Sequence, residues 1–289
     1  MKLTITLLFL ITCSLTAQVK GIVVDQNDTP IPYVNIWVEG ENIGTTSEVD
    51  GSFNLDSKNK EKNLIFSAIG YKKEITPFKE KIVLEKEIYK LDEVLISSLK
   101  QTKEIEIGDS KKRFYLPEPQ TTPWIFARNF QVDKNNKEVK YAKEIVFFTN
   151  SEVKNGVFRV RIFKIGPDGI PNEDILNEEL LVEVKKGKQK TVVDILKYKI
   201  EIPPEGIIIG FESLIIDQNK YMQKATIYKT NKKTECLNYS PHIMYFNDDT
   251  VDNYSFSSGR WLVINALHKE KYKGKYNFPN PAINLILTN

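Results

Sequence analysis

The chain is 289 residues long, 41% hydrophobic and 27% charged, with 41 basic against 38 acidic residues and a formal net charge of +3. That length accommodates two ordinary domains, and so even a balance of charge carries no electrostatic footprint for nucleic acid, which is excluded as an expected partner. Two cysteines, Cys13 and Cys236, and two histidines, His242 and His268, exclude a disulfide framework and a conventional zinc centre, which needs three or four convergent ligands.

At the start, Lys2 precedes the apolar run Leu3 to Leu10, and small or polar residues lead to Ala17. The run is too short for a membrane-spanning helix, and its charged lead and Thr16-Ala17 exit read as an export signal over residues 1–17, cleaved after Ala17. A second reading takes Leu10-Ile11-Thr12-Cys13 as a lipoprotein signal with Cys13 acylated, against which Thr12 is a poor neighbour. No other stretch is long and apolar enough to cross a bilayer as a helix. The expected location is exported: periplasm, cell surface or outer membrane.

Residues 18–96 read as one small β domain. Ile22 and Val24 alternate with Gly21 and Val23 before the polar turn Asp25-Gln26-Asn27-Asp28. Pro30 and Pro32 mark an edge or a strand entry. Val34, Ile36 and Val38 then point one way, Asn35 and Trp37 the other. Asp50-Gly51, between Thr45-Thr46 and Phe53-Asn54-Leu55, is the strongest hairpin signal in the chain. Leu64 to Ile69 adds a buried run closed by Gly70-Tyr71, and strands at this short, regular spacing indicate a sandwich.

The pieces G-I-V-V-D at 21–25, P-I-P-Y-V-N-I-W-V at 30–38, G-T-T at 44–46, D-G-S-F-N-L at 50–55 and F-S-A-I-G-Y at 66–71 together resemble the carboxypeptidase-regulatory-like domain, a transthyretin-like sandwich common in envelope proteins of Bacteroidetes-type bacteria. Lys90 to Ile96 resembles the segment that closes this domain in TonB-dependent transporters. The resemblance implies a noncatalytic accessory module and brings no active-site residues with it.

Residues 97–123 are rich in Lys, Glu, Thr and Gln and carry Pro117, Pro119 and Pro123; they read as a linker with one short strand at Ile105 to Ile107. Residues 124–289 read as a second domain. Phe158, Val160 and Ile162 share one strand face and Arg159 and Arg161 the other, a strand with one wet side. Asp174 to Leu181 reads as a short helix or an irregular loop. Ile207 to Phe211, running on into Leu214-Ile215-Ile216, suits a central strand buried on both sides. About nine strands with almost no helical periodicity give the expected fold class, all-β, with a second antiparallel sandwich of jelly-roll type. Here F-R-V-R-I-F at 158–163, P-N-E-D-I-L-N-E at 171–178, V-D-I at 193–195 and I-I-I-G-F-E at 207–212 resemble an uncharacterised region that follows such regulatory-like domains in flavobacterial secreted proteins; the resemblance brings no activity.

The candidate chemistry is sparse, and no cofactor is expected. Tyr254, Phe256, Arg260 and Trp261 set alternating aromatics and a cation on one segment, as a glycan-binding surface does, although core packing also uses aromatics this way. Asn247, Asp248, Asp249 and Asp252 offer hard oxygens for calcium, or are an ordinary Asn/Asp turn. Cys236 reads as a buried thiol or, paired with His242, as a nucleophile. Neither a G-x-S-x-G elbow nor a phosphate-cradling glycine loop is present, and a glycosidase carboxylate pair cannot be read from linear spacing. The leading expectation is a noncatalytic envelope or secreted protein that binds a glycan or another envelope protein. One alternative is a hydrolase of polysaccharide or peptide using carboxylates of the second domain. Another is an accessory of a TonB-dependent transporter; the residues after Ile96 are too few for a plugged barrel of about 22 strands.

Overall fold

The computed structural model describes residues 18–56, 61–87, 99–108, 110–116, 119–136, 138–226, 233–248, 252–264 and 279–289. The export signal with Cys13, the Lys90 to Ile96 segment, Asp249 and His268 lie outside these residues.

The first sandwich is built from β1 (Gln18–Asp25), β2 (Asn35–Val38), β3 (Gly44–Thr46), β4 (Ser52–Asp56), β5 (Asn63–Ser67), β6 (Glu74–Pro77) and β7 (Lys81–Leu84). One sheet runs β4-β1-β7, with β7 parallel to β1; the other runs β3-β2-β5-β6, all antiparallel. Alternation places Val19, Val23, Phe53 and Leu55 of the first sheet against Val34, Ile36, Val38 and Phe66 of the second in one core. The Asp50-Gly51 turn forms, with Gly51 at φ +77° and its N–H donating to the Glu48 carbonyl at 2.9 Å. It does not close a hairpin. β3 before it pairs with β2 and β4 after it pairs with β1, so the turn carries the chain from one sheet to the other. Turn residues fix local direction only; burial of Phe53 and Leu55 decides which sheet takes the next strand.

The second body begins with β8 (Glu104–Ile107), β9 (Ile125–Phe130), β10 (Tyr141–Ser151) and β11 (Gly156–Ile165). It continues with β12 (Pro171–Asp174), β13 (Leu181–Val184), β14 (Gly187–Asp194) and β15 (Ile207–Ser213). Then come β16 (Lys220–Thr226), β17 (Lys233–Tyr239), β18 (His242–Ile243), β19 (Tyr245–Asn247), β20 (Asn253–Ser257), β21 (Arg260–Val263), β22 (Pro279–Pro281) and β23 (Ile283–Thr288). The order β8-β23-β10-β14 in one sheet faces β9-β15-β11-β13 in the other. In chain order these eight strands alternate between sheets except from β11 to β13, which is the jelly-roll connection. Phe147, Phe158, Val160, Ile207, Ile209, Phe211 and Leu285 fill the space between the sheets, with the Phe158 and Phe211 rings stacked at 4.5 Å.

One expectation changes here. The stretch 97–123, expected as a linker, contributes β8, the first strand of the jelly roll, paired along β23, and its Phe114 exchanges backbone hydrogen bonds of 2.8 Å with Tyr245. The Glu-Ile-Glu-Ile alternation of β8 sets charges outward on an edge strand, and edge charges read in sequence as linker composition. Of the two readings of Asp174 to Leu181, the irregular loop is the one that forms: Asp174 ends β12 and residues 175–180 belong to no regular element.

Between β15 and β23 the chain leaves the jelly roll. β16 and β17 form a hairpin arm, β19 pairs with β22, and β20 and β21 widen the second sheet beside β9. β18 pairs with the end of β10 and holds His242, which is 3% exposed, with its Nε2 3.0 Å from the Tyr221 hydroxyl and its ring 5.6 Å from that of Tyr115. Burial pulls this imidazole down to about 4 from 6.5. A lowered folded value means that the neutral ring contributes stability above pH 6.5 and that the contribution is lost between pH 6.5 and about 4, by roughly 3 kcal/mol. Urea midpoints of the wild-type chain are expected to decline across that interval and His242→Gln to flatten this part of the profile; superimposable profiles would contradict the assignment.

Candidate functional site

The outer face of the β12-β11-β15-β9-β20-β21 sheet turns toward the first sandwich. Across it, strand register lines up Arg159, Glu212, Ile125, Phe256 and Trp261 in a single row. Opposite stands the outer face of β2 and β5, which presents Asn35 and Trp37 beside Ser67 and Ile65. The side of β11 expected to be wet is therefore buried, and Arg159 is among the largest side chains with no exposure.

The centre of this junction is ionic. Glu212, fully buried, accepts from Arg159 Nη1 and Arg161 Nη1 at 3.0 Å each through Oε2, and from Asn35 Nδ2 through Oε1. Arg159 also donates from Nε to Glu179 at 2.5 Å and from Nη2 to the Tyr33 carbonyl at 2.5 Å. Arg161 grips Asp174 with Nε at 2.8 Å and Nη2 at 2.5 Å, a two-pronged guanidinium–carboxylate pair. Burial alone would raise the Glu212 carboxyl; Arg159 and Arg161 outweigh it and hold the group below the usual carboxylate range. Burial disfavours the charge on Arg161, yet Asp174 and Glu212 keep it a cation.

Hydrogen bonds continue the junction on either side. Thr46 Oγ1 accepts from Ile215 N–H at 3.0 Å, Glu48 from Asp217 N–H at 2.8 Å, and Asn42 Oδ1 from the Ser257 hydroxyl at 3.0 Å. Tyr33, whose carbonyl meets Arg159, sits at φ +57°, and its side chain packs with Leu214 and Ile216.

Beside the ionic centre lies a cleft of about 230 Å³, lined by Trp37, Lys73, Arg161, Asp174, Phe256 and Trp261 among others. Its wall is aromatic: Trp37 meets Phe256 edge-on at 5.5 Å, and Phe256 and Trp261 lie 5.1 Å apart. The Trp37 indole N–H, though buried, makes no hydrogen bond. Aromatic rings thus stand beside positioned donors and acceptors, the combination that ligand pockets use.

Of the candidate ligand residues, Phe256 and Trp261 line this cleft. Tyr254 does not: it is 4% exposed, packs with Ala127 and Ile208, and donates its hydroxyl to the Gly169 carbonyl at 3.1 Å. Arg260 is exposed beside Ser257 and is no part of the lining. Of the calcium candidates, Asn247, Asp248 and Asp252 are among the described residues. Asn247 is exposed opposite Pro279, Asp248 accepts from Asn280 through its main-chain carbonyl, and that of Asp252 accepts from Asn129 N–H. Among the described residues no group of three or more His, Cys, Asp or Glu is placed to hold a metal. Cys236 is half-buried on β17 with its Sγ 3.7 Å from the Gln223 carbonyl, while His242 faces Tyr221.

Sequence reading missed Asn35, Trp37, Arg159, Arg161, Asp174 and Glu212. One signal was present: Glu212 ends an otherwise apolar run on a central strand, and a carboxylate there demands a cation. Removing one partner of a buried pair strands the other, so Arg159→Met is expected to lower stability by about 3–5 kcal/mol in urea unfolding. Arg159→Met combined with Glu212→Met should lose less than the two single losses together; additive losses would show that the groups are not coupled.

Against known proteins, residues 19–96 match the family model of the CarboxypepD_reg-like domain. In the region of this domain the chain is 27% identical over 95 residues to the TonB-dependent receptor P39 of Formosa agariphila, and 32% identical over 94 residues to the TonB-dependent receptor SusC of Bacteroides thetaiotaomicron. Each match covers 32% of this chain and 9% of the receptor, so the chain spans less than a tenth of the length of the curated relatives it matches. The amino-terminal sandwich thus falls within the stretch, residues 19–96, that matches the CarboxypepD_reg-like domain.

Proposed function

We propose that this chain is a noncatalytic envelope or secreted binding protein whose ligand, a glycan, seats one sugar ring in the cleft between the two sandwiches. The observation that carries this reading is the pairing of Trp37 from one domain with Phe256 and Trp261 from the other, beside polar groups whose positions are fixed by the ionic centre. A ring with one apolar face and a rim of hydroxyls complements such a wall and floor. The noncatalytic part of the reading rests on the carboxylates. The carboxylates that line the cleft, Glu212 and Asp174, are bound by arginines, and Glu212 is held ionised, whereas glycoside hydrolysis needs one carboxyl raised so that it carries a proton; Glu179, which burial raises, is tied to Arg159 and does not line the cleft. Export is supported by the amino-terminal signal pattern and by the outer-membrane character of TonB-dependent receptors, to which the first domain is similar.

The domain match favours a second reading, in which this chain is an accessory of such a receptor and the first sandwich is the docking module. Recovery of a TonB-dependent receptor after cross-linking in cells distinguishes it from free glycan binding.

On a glycan array, the whole chain is expected to retain a glycan, and Trp261→Ala to weaken retention by about tenfold or more, the effect of truncating an aromatic anchor. An array on which the wild-type chain retains nothing, or on which it and the variant behave alike, overturns the reading. Turnover of polysaccharide or peptide substrates by purified protein would restore the hydrolase alternative.

A further inference from the structure

The hairpin arm β16–β17 is bound to the body near its base, where Tyr221 meets His242 at 3.0 Å and Asn238 Oδ1 accepts from Gln120 N–H at 2.8 Å. Among the described residues these two strands pair only with each other, although a lone two-stranded ribbon is marginal in water. Met222 and Leu237, directly opposite in register, are 56% and 39% exposed. Their face also carries the Lys224–Glu235 pair. Among its described residues the arm holds Lys220, paired with Asp217, and Lys224 and Lys233, against the single acid Glu235. Leu237 and Tyr239 from this face wall a second groove, of about 470 Å³, which shares no lining residue with the aromatic cleft. The opposite wall comes from β3 and β4, each the end strand of its sheet, with Gly44, Thr45 and Asn54.

We propose that this groove and arm dock an extended, acidic polypeptide segment of a partner protein, which adds a strand to the arm and covers Met222 and Leu237. Three features select that occupant. Unpaired strand edges expose rows of N–H and C=O groups, which another polypeptide backbone satisfies and a lipid surface does not. The lysine excess repels a second copy of the same arm and attracts acidic side chains. The exposed Met222–Leu237 pair lies where alternate side chains of an added strand would fall. This surface is separate from the aromatic cleft, and the inference does not depend on what the cleft binds.

The probe is a fluorescent dodecapeptide of alternating Glu and Val, read by anisotropy with the full chain. It is compared with a Lys/Val peptide, with a Glu/Val peptide interrupted by proline, and with phosphatidylglycerol vesicles. Binding of the Glu/Val peptide is expected to weaken with salt, to fail for both control peptides, and to fall about tenfold in Met222→Glu and in Lys224→Glu, exposed positions whose folding is checked by circular dichroism. Bound peptide should also slow amide exchange at residues 221–224 and 234–238. No binding, equal binding of the proline-interrupted peptide, indifference to both substitutions, or adherence to the vesicles in place of the peptide would each overturn the proposal.

Discussion

A fully buried carboxylate needs cations, and Glu212 obtains two from the next strand of its own sheet and an amide from the other domain. An ionised group removed from water without such partners would cost far more than a domain's net stability, so these contacts have little freedom to separate. The Asn35 and Tyr33 contacts tie the first sandwich into the same network. The two bodies thus meet through a polar centre that fixes their orientation, flanked by apolar contacts such as Trp37 on Phe256. Buried polar clusters of this kind specify one arrangement more than they add stability.

The jelly roll explains why the cleft and the groove lie where they do. Its eight strands make a closed core, and the long insertion between β15 and β23 supplies β20–β21 and the arm β16–β17. The first hairpin widens the sheet that faces the amino-terminal domain and carries Phe256 and Trp261 to the cleft. The second stands beside β3 and β4. A rigid scaffold with functional insertions at one junction is a common division of labour, with the fold providing position and the insertion providing chemistry.

Several elements were readable in advance because their cause is local. Alternation in Val34 to Val38 and Phe158 to Ile162, the apolar run from Ile207, and the spaced turn residues through Tyr71 report burial one residue at a time. The same logic misled where a residue's surroundings come from far along the chain. Arg159 and Arg161 alternate as a solvent-facing row does, yet Arg159 is fully buried with a hydrogen bond to the Tyr33 carbonyl of the first domain, and both are held by acids of the second. Tyr254 and Phe256 have the same spacing and face, yet one lies in the sheet's apolar cluster and the other at the cleft, because Trp37 abuts only the second.

By itself, then, the sequence determined an all-β chain, an amino-terminal sandwich of recognisable family and a second sandwich of jelly-roll type, since period-two patterning and turn chemistry are written in adjacent residues. The tertiary structure alone decided that the two bodies share an ionic centre, that β8 begins the second sandwich, and which aromatics reach the cleft. Those outcomes depend on contacts such as Asn35 with Glu212, separated by 177 positions, and no local pattern encodes a partner that distant.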